Sequence, residues 1–165
     1  MKYMLNGDTR SSPLMRLTLS CTLVFVAFLW LSNILLYLQH MSLDPASVVR
    51  YYRGAEEEFA VPRTYGSMLE VAHAHFAMMA VVLLLVTHLS IFLPWPVRLR
   101  VGLVVATFAG AFTQEAGGWL VRFVNPAWAW TKIAGFLALE IGLGVLIAGL
   151  GWHLARRPSR PNGAG

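Results

Sequence analysis

The sequence predicts an all-α integral membrane protein: a four-helix bundle with a short amphipathic helix on its periplasmic side. Three observations lead there. The composition is 57% hydrophobic and only 13% charged, where a soluble domain carries about a quarter charged residues. The apolar residues come in four blocks, Leu17–Leu38, Met68–Leu93, Val101–Val121 and Ile133–Trp152, each close to the roughly 20 residues that cross a hydrocarbon core as a helix. The basic residues gather in three segments that a four-span chain places on one side of the bilayer.

Those segments are the N-terminal tail with Lys2, Arg10 and Arg16, the turn after Pro94-Trp95-Pro96 with Arg98 and Arg100, and the C-terminal tail with Arg156, Arg157 and Arg160. Short basic loops stay cytoplasmic, so both termini are expected in the cytoplasm of a bacterium, with the chain multi-pass in its inner membrane. The first run is too long for a signal-peptide core and lacks a small-residue cleavage site after it, so it reads as a retained span. The chain is one domain, 1–165, with spans near 15–39, 67–93, 98–121 and 127–153 and a flexible tail at 156–165. The net charge of +5 belongs to topology and lipid contact; no feature points to nucleic acid. Lone Cys21 reads as packing, and the absence of CxxCH excludes thioether-attached haem.

Between the first two spans, Asp44-Pro45 opens a helix and Gly54 stops it. Pro45, Val48, Val49 and Tyr52 fall on one face, so this helix is expected to lie along the outer membrane surface. Glu56, Glu57 and Glu58 form a solvated acidic run, or a dock for a basic partner. Asn125-Pro126 caps the start of the fourth span. Trp128 and Trp130 belong to an aromatic belt, with Lys132 snorkelling outward below them. Trp95 and Trp152 are their counterparts at the other face. The small-residue rows Gly102, Ala106, Gly110 and Ala134, Ala138, Gly142 suit close helix packing, or room for a flat ring.

Ionisable groups within spans are functional candidates. By depth, His40, His73 and His75 form an outer group, and His88 and His153 an inner one. A haem b takes axial imidazoles from facing helices, so two groups offer sites for one or two haems. His73 and His88 lie about 22 Å apart along the helix and within about 60° of one face, whereas His75 is about 140° away from His88. The cofactor-binding candidates are therefore His73 and His88, with His40 and His153 as partners and His75 in reserve. A second reading takes Glu70 and His73, in Glu-x-x-His spacing, with His75 and Glu115 as ligands of a transition metal. Against it, Ser67-Met68-Leu69-Glu70 has capping-box form. Glu140, mid-span, either hydrogen-bonds between helices or exchanges protons with a quinone. Arg122 pairs with Glu115, a haem propionate or a lipid headgroup. No catalytic residue is assigned, and no hydrolase, transferase or nucleotide-binding motif appears.

The stretches Tyr51-Tyr52-Arg53-Gly54, Leu69-Glu70-Val71-Ala72-His73-Ala74-His75-Phe76 and Thr87-His88-Leu89 make the chain resemble a group of small uncharacterised bacterial four-span membrane proteins. In helix count and histidine depth it is also similar to b-type cytochrome membrane subunits. Those carry two ligands on each of two helices, whereas here two lie on one helix only. That likeness implies an electron-transfer subunit of a larger respiratory or redox complex, with other membrane subunits, a quinone, lipid and a periplasmic redox protein as partners. The alternatives are a non-redox accessory subunit, with no cofactor, and a membrane metal-binding protein.

Overall fold

The computed structural model describes residues 13–56 and 59–155. They form five α-helices in chain order: α1 Pro13–His40, α2 Pro45–Arg53, α3 Tyr65–Leu89, α4 Val97–Phe123 and α5 Ala129–Ala155. Short 3-10 turns finish α3 and precede α5. There is no β-strand among the described residues, only an isolated bridge between Ala55 and Ala60. The expected tail at 156–165, together with Glu57 and Glu58, lies outside the described residues. Three helical segments are long and apolar enough to cross a membrane: Pro13–His40, Tyr65–Phe92 and Pro126–Ala155. Helix α4 matches them in length with 27 residues, but its polar residues, Gln114 and Glu115 among them, lower its hydropathy.

Helices α4 and α5 form the tight pair. Gly110 and Gly117 on α4 face Gly135 and Gly142 on α5, each pair seven residues apart. A Cβ on Gly110 would stand 2.6 Å from Leu139 N, and one on Gly117 2.8 Å from Lys132 Cα. The backbones touch because no side chain separates them. The seam differs from the expected rows: Gly102 has open space around it, and Ala134 is exposed. Helix α1 leans on α5, and α3 contacts both α4 and α5. Tyr37 of α1 stacks on Phe136 of α5 with ring centroids 3.7 Å apart. Trp30 Nε1 donates to Glu140 O at 3.0 Å.

At one end of the bundle, the start of α1 meets the end of α5, where Arg16 Nη2 donates to Leu154 O at 3.0 Å. The α3–α4 turn is at the same end, with the Trp95 ring against Gly149. Trp152 there is exposed, as are Trp128 and Trp130 at the opposite end.

Helix α2 closes that opposite end. Asp44 takes the N-cap position but its carboxylate makes no capping bond; Pro45 fixes the first turn. Gly54 ends the helix at φ 79°, where a Cβ would also meet Ala60 O and come within 2.9 Å of Pro62 N, so only glycine fits. The apolar face read from the sequence exists, but it turns inward rather than along the membrane surface. Val48 and Tyr52 are buried with Met68, Val121, Ala129 and Ile133. The Tyr52 hydroxyl sits where a Cβ of Gly118 would be, 2.6 Å from that point. Two arginines latch the closure: Arg53 Nε donates to Val121 O at 2.6 Å, and Arg122 Nε to Arg63 O at 2.7 Å.

Candidate functional site

Inside the α2 end lies a cavity of about 230 Å³. Its polar lining comes from all five helices and the α2–α3 segment, and includes Asn33 and His40 of α1, Tyr51 and Tyr52 of α2, Arg63, His75 of α3, Gln114 and Glu115 of α4, and Lys132 of α5. The cause is local. Gln114 and Glu115 lie between Gly110 and Gly117 on α4, so the tight seam fixes their position. Lys132 is one turn into α5, packed over Gly117. All three are buried, at 5%, 7% and 6% exposure respectively.

The central contact is His75 Nδ1 with Glu115 Oε2 at 3.0 Å. Lys132 makes no hydrogen bond or ion pair among the described residues; its ammonium nitrogen lies 5.9 Å from the Tyr52 ring centroid. The Glu115 carboxylate attracts this buried cation without touching it, and Lys132 lines a space where a hydrogen-bond acceptor can sit. Burial pushes the Tyr52 phenol above its ordinary range, with Glu115 adding to the effect, so Tyr52 is a neutral hydroxyl. Tyr51 carries the Arg63 guanidinium 4.4 Å above its ring and tilts against His40 at 5.5 Å.

A second, apolar cavity of about 90 Å³ adjoins the first. Leu29, Trp30, Met78, Met79 and Leu83 line it, and Asn33 and His75 belong to both cavities. Asn33 Nδ2 also donates to Glu140 Oε1 at 2.5 Å, while Glu140 Oε2 is buried with no partner among the described residues. Glu140 thus makes an interhelical hydrogen bond, the first of its two expected uses.

The structure gathers the expected site residues selectively. His75 and Glu115 meet, and His40 lines the same cavity. His73 and Glu70 are exposed on α3. Among the described residues no three His, Cys, Asp or Glu side chains group as metal ligands do. His88 is exposed and lines a groove between α3 and α4, whereas His153 lies beside Leu89 and Phe92. The two expected inner partners therefore line different spaces. Glu70 forms no capping box: the N-cap of α3 is Thr64, whose Oγ1 accepts from Ser67 N at 3.1 Å. Lys132 does not snorkel outward, because its side chain is enclosed by α2 and α4. Arg122 bonds the Arg63 carbonyl rather than Glu115. Sequence reasoning missed Asn33, Tyr52, Arg63 and the inward Lys132. Asn33 alone had a signal, as the one amide within the apolar run of α1.

A family model of a transmembrane helical domain matches residues 42–161. No curated protein and no solved structure matches the chain.

Proposed function

The chain belongs to the Aq_1264_TM family of transmembrane helical domains, and on that premise we propose that it is the quinone-binding membrane subunit of a larger bacterial electron-transfer complex. The observation that carries this reading is the joined pair of cavities. The polar one offers hydrogen-bond donors among aromatic rings, and the apolar one continues from it at Asn33 and His75. A quinone has that form, a flat ring with carbonyl acceptors on an apolar tail. The polar cavity is smaller than the about 300–1,000 Å³ that enclose whole drug-sized ligands, so it takes the ring while the tail runs out between α1 and α3.

In this reading Lys132 donates to one ring carbonyl and Tyr51, Tyr52 and Phe136 flank the ring. His75 and Glu115 exchange the protons. Reduction to the quinol takes up two electrons and two protons; the electrons come from a redox centre of a partner subunit and the protons pass through the His75–Glu115 pair. Four spans suit the reading. Helix α4 runs against α5, is about 40 Å long at 1.5 Å per residue, and turns Gln114 and Glu115 into the bundle. Both termini and the Arg98–Arg100 turn then face the cytoplasm, and α2 faces the periplasm, where a soluble redox partner would approach. A haem b on His73 or His88 would take its second imidazole from a neighbouring subunit, because both rings face outward.

The test is quinone binding to the purified chain in nanodiscs, read by quenching of tryptophan fluorescence, with a reduced-minus-oxidised visible spectrum of the native complex alongside. Saturable binding is expected, weakened about tenfold or more in Lys132→Met, the loss of one charge-assisted hydrogen bond. Equal binding by the wild type and Lys132→Met, or no saturable binding, refutes it.

A further inference from the structure

At the end of the bundle opposite α2, a groove of about 460 Å³ runs between the end of α3 and the start of α4. We propose that it binds the headgroup phosphate of an anionic phospholipid, through Arg100 and His88. This does not rest on the quinone reading, and none of its lining residues belongs to the quinone cavity.

Arg100 lies in the first turn of α4. Its Nη1 donates to Ile91 O at 2.7 Å, which holds the guanidinium against the α3–α4 turn. Its Nε is buried and has no acceptor among the described residues, and Nη2 makes no hydrogen bond among them either. With Nη1 held by Ile91 O, Nη2 is left at a fixed position with no partner among the described residues, where it can donate to an oxyanion in the groove. Across the groove His88 supplies an exposed ring.

The surrounding charge has one sign. From Val71 to Gln114 the sequence contains no Asp or Glu, and its only Lys or Arg residues are Arg98 and Arg100. An anion entering the groove therefore meets no carboxylate from either helix. The remaining wall is apolar and exposed: Val97, Val101 and Val105 on α4, Leu84 on α3 and Ile91 in the 3-10 turn after it. Their ladder along α4 repeats every four residues, so it forms one face. Acyl chains fit that face while the phosphate reaches the arginine. A free inorganic anion would use the arginine and leave the valine ladder uncovered, which is why a lipid is the occupant.

The experiment is native mass spectrometry of the full chain, delipidated in mild detergent and titrated with phosphatidylglycerol, with phosphatidylcholine as the neutral comparison. The wild type is expected to retain phosphatidylglycerol preferentially. Arg100→Lys keeps the charge but loses the planar guanidinium and its positioned donors, and the preference should fall about fivefold, the loss of about one charge-assisted hydrogen bond. Because Arg100 also braces the turn, His88→Ala serves as the second variant; the exposed ring can be removed without opening the core, and a weaker preference is again expected. Equal retention of both lipids by the wild type, or an unchanged preference in both variants, overturns the proposal. Displacement of the lipid by inorganic phosphate at matching concentration would also overturn it, by showing that the acyl chains contribute nothing.

Discussion

Adding one methyl group at Gly110 tests the α4–α5 seam. In Gly110→Ala the new Cβ would lie 2.6 Å from Leu139 N, 3.0 Å from Gly135 O and 3.1 Å from Ala138 C. All three are backbone atoms of α5, so no rotamer change relieves the contact. Ordinary contact begins at 3.4 Å, so the helices must part by about 0.8 Å in a region packed at the density of an organic crystal. Overpacking of this kind costs about 1–3 kcal/mol. Alanine also raises helix propensity over glycine by about 0.5–1 kcal/mol, which partly conceals that cost. Gly102→Ala supplies the correction. It lies on the same helix with nothing within 4 Å of its Cβ, so it gains the propensity and meets no wall. The difference between the variants isolates the seam at about 1–3 kcal/mol, or about 2–12 °C in midpoint at 2–4 °C per kcal/mol for a chain of this size. Thermal unfolding of both variants in the same detergent, followed by tryptophan fluorescence, measures it. Equal shifts of the same sign would show that the glycines do not set the α4–α5 distance.

Asn33→Leu removes the donor to Glu140 and leaves both carboxyl oxygens without a partner; a loss of about 1–3 kcal/mol is expected. The double variant Asn33→Leu with Glu140→Met removes the acceptor as well and should recover most of that loss in the same unfolding assay; equal destabilisation of the two refutes the pairing. Thr64→Ala should cost about 1 kcal/mol as the loss of an N-cap and speed amide exchange in the first turn of α3. Glu70→Ala should leave that exchange unchanged, and faster exchange in it would restore the capping-box reading.

Helix positions were legible because bilayer length and apolar runs are one-dimensional signals. The breaks at Asp44-Pro45, Gly54, Pro94–Pro96 and Asn125-Pro126 follow from local stereochemistry in the same way. The site was less legible because it depends on azimuth between helices that are distant in sequence. The offset between His75 and the line through His73 and His88 was readable from helical geometry. Which of those directions faced inward was not, since it is decided by Glu115 forty residues away. The fate of Lys132 shows the same limit. Near a helix end a lysine ordinarily extends to water, and only the docking of α2 over Gly118 encloses it. The seam glycines fall seven apart on both helices, yet the four-residue rows of small residues offered an equally good pattern.

The closure of the bundle by α2 bears on how any occupant arrives. Tyr52 seated on Gly118 and two arginines hold α2 over one side of the cavity, while a groove at that end shares His40, Met41, Tyr51, Arg63 and Ser67 with it. A second boundary runs sideways, past the exposed Leu29 and Leu36 of α1 and Val71 and Met78 of α3. For an apolar occupant that enters by this side, occupancy is governed by its abundance within the surrounding lipid, as a mole fraction, and not by molarity in the water outside. Two membranes with the same amount of ligand per litre but different lipid volumes would fill this cavity to different extents.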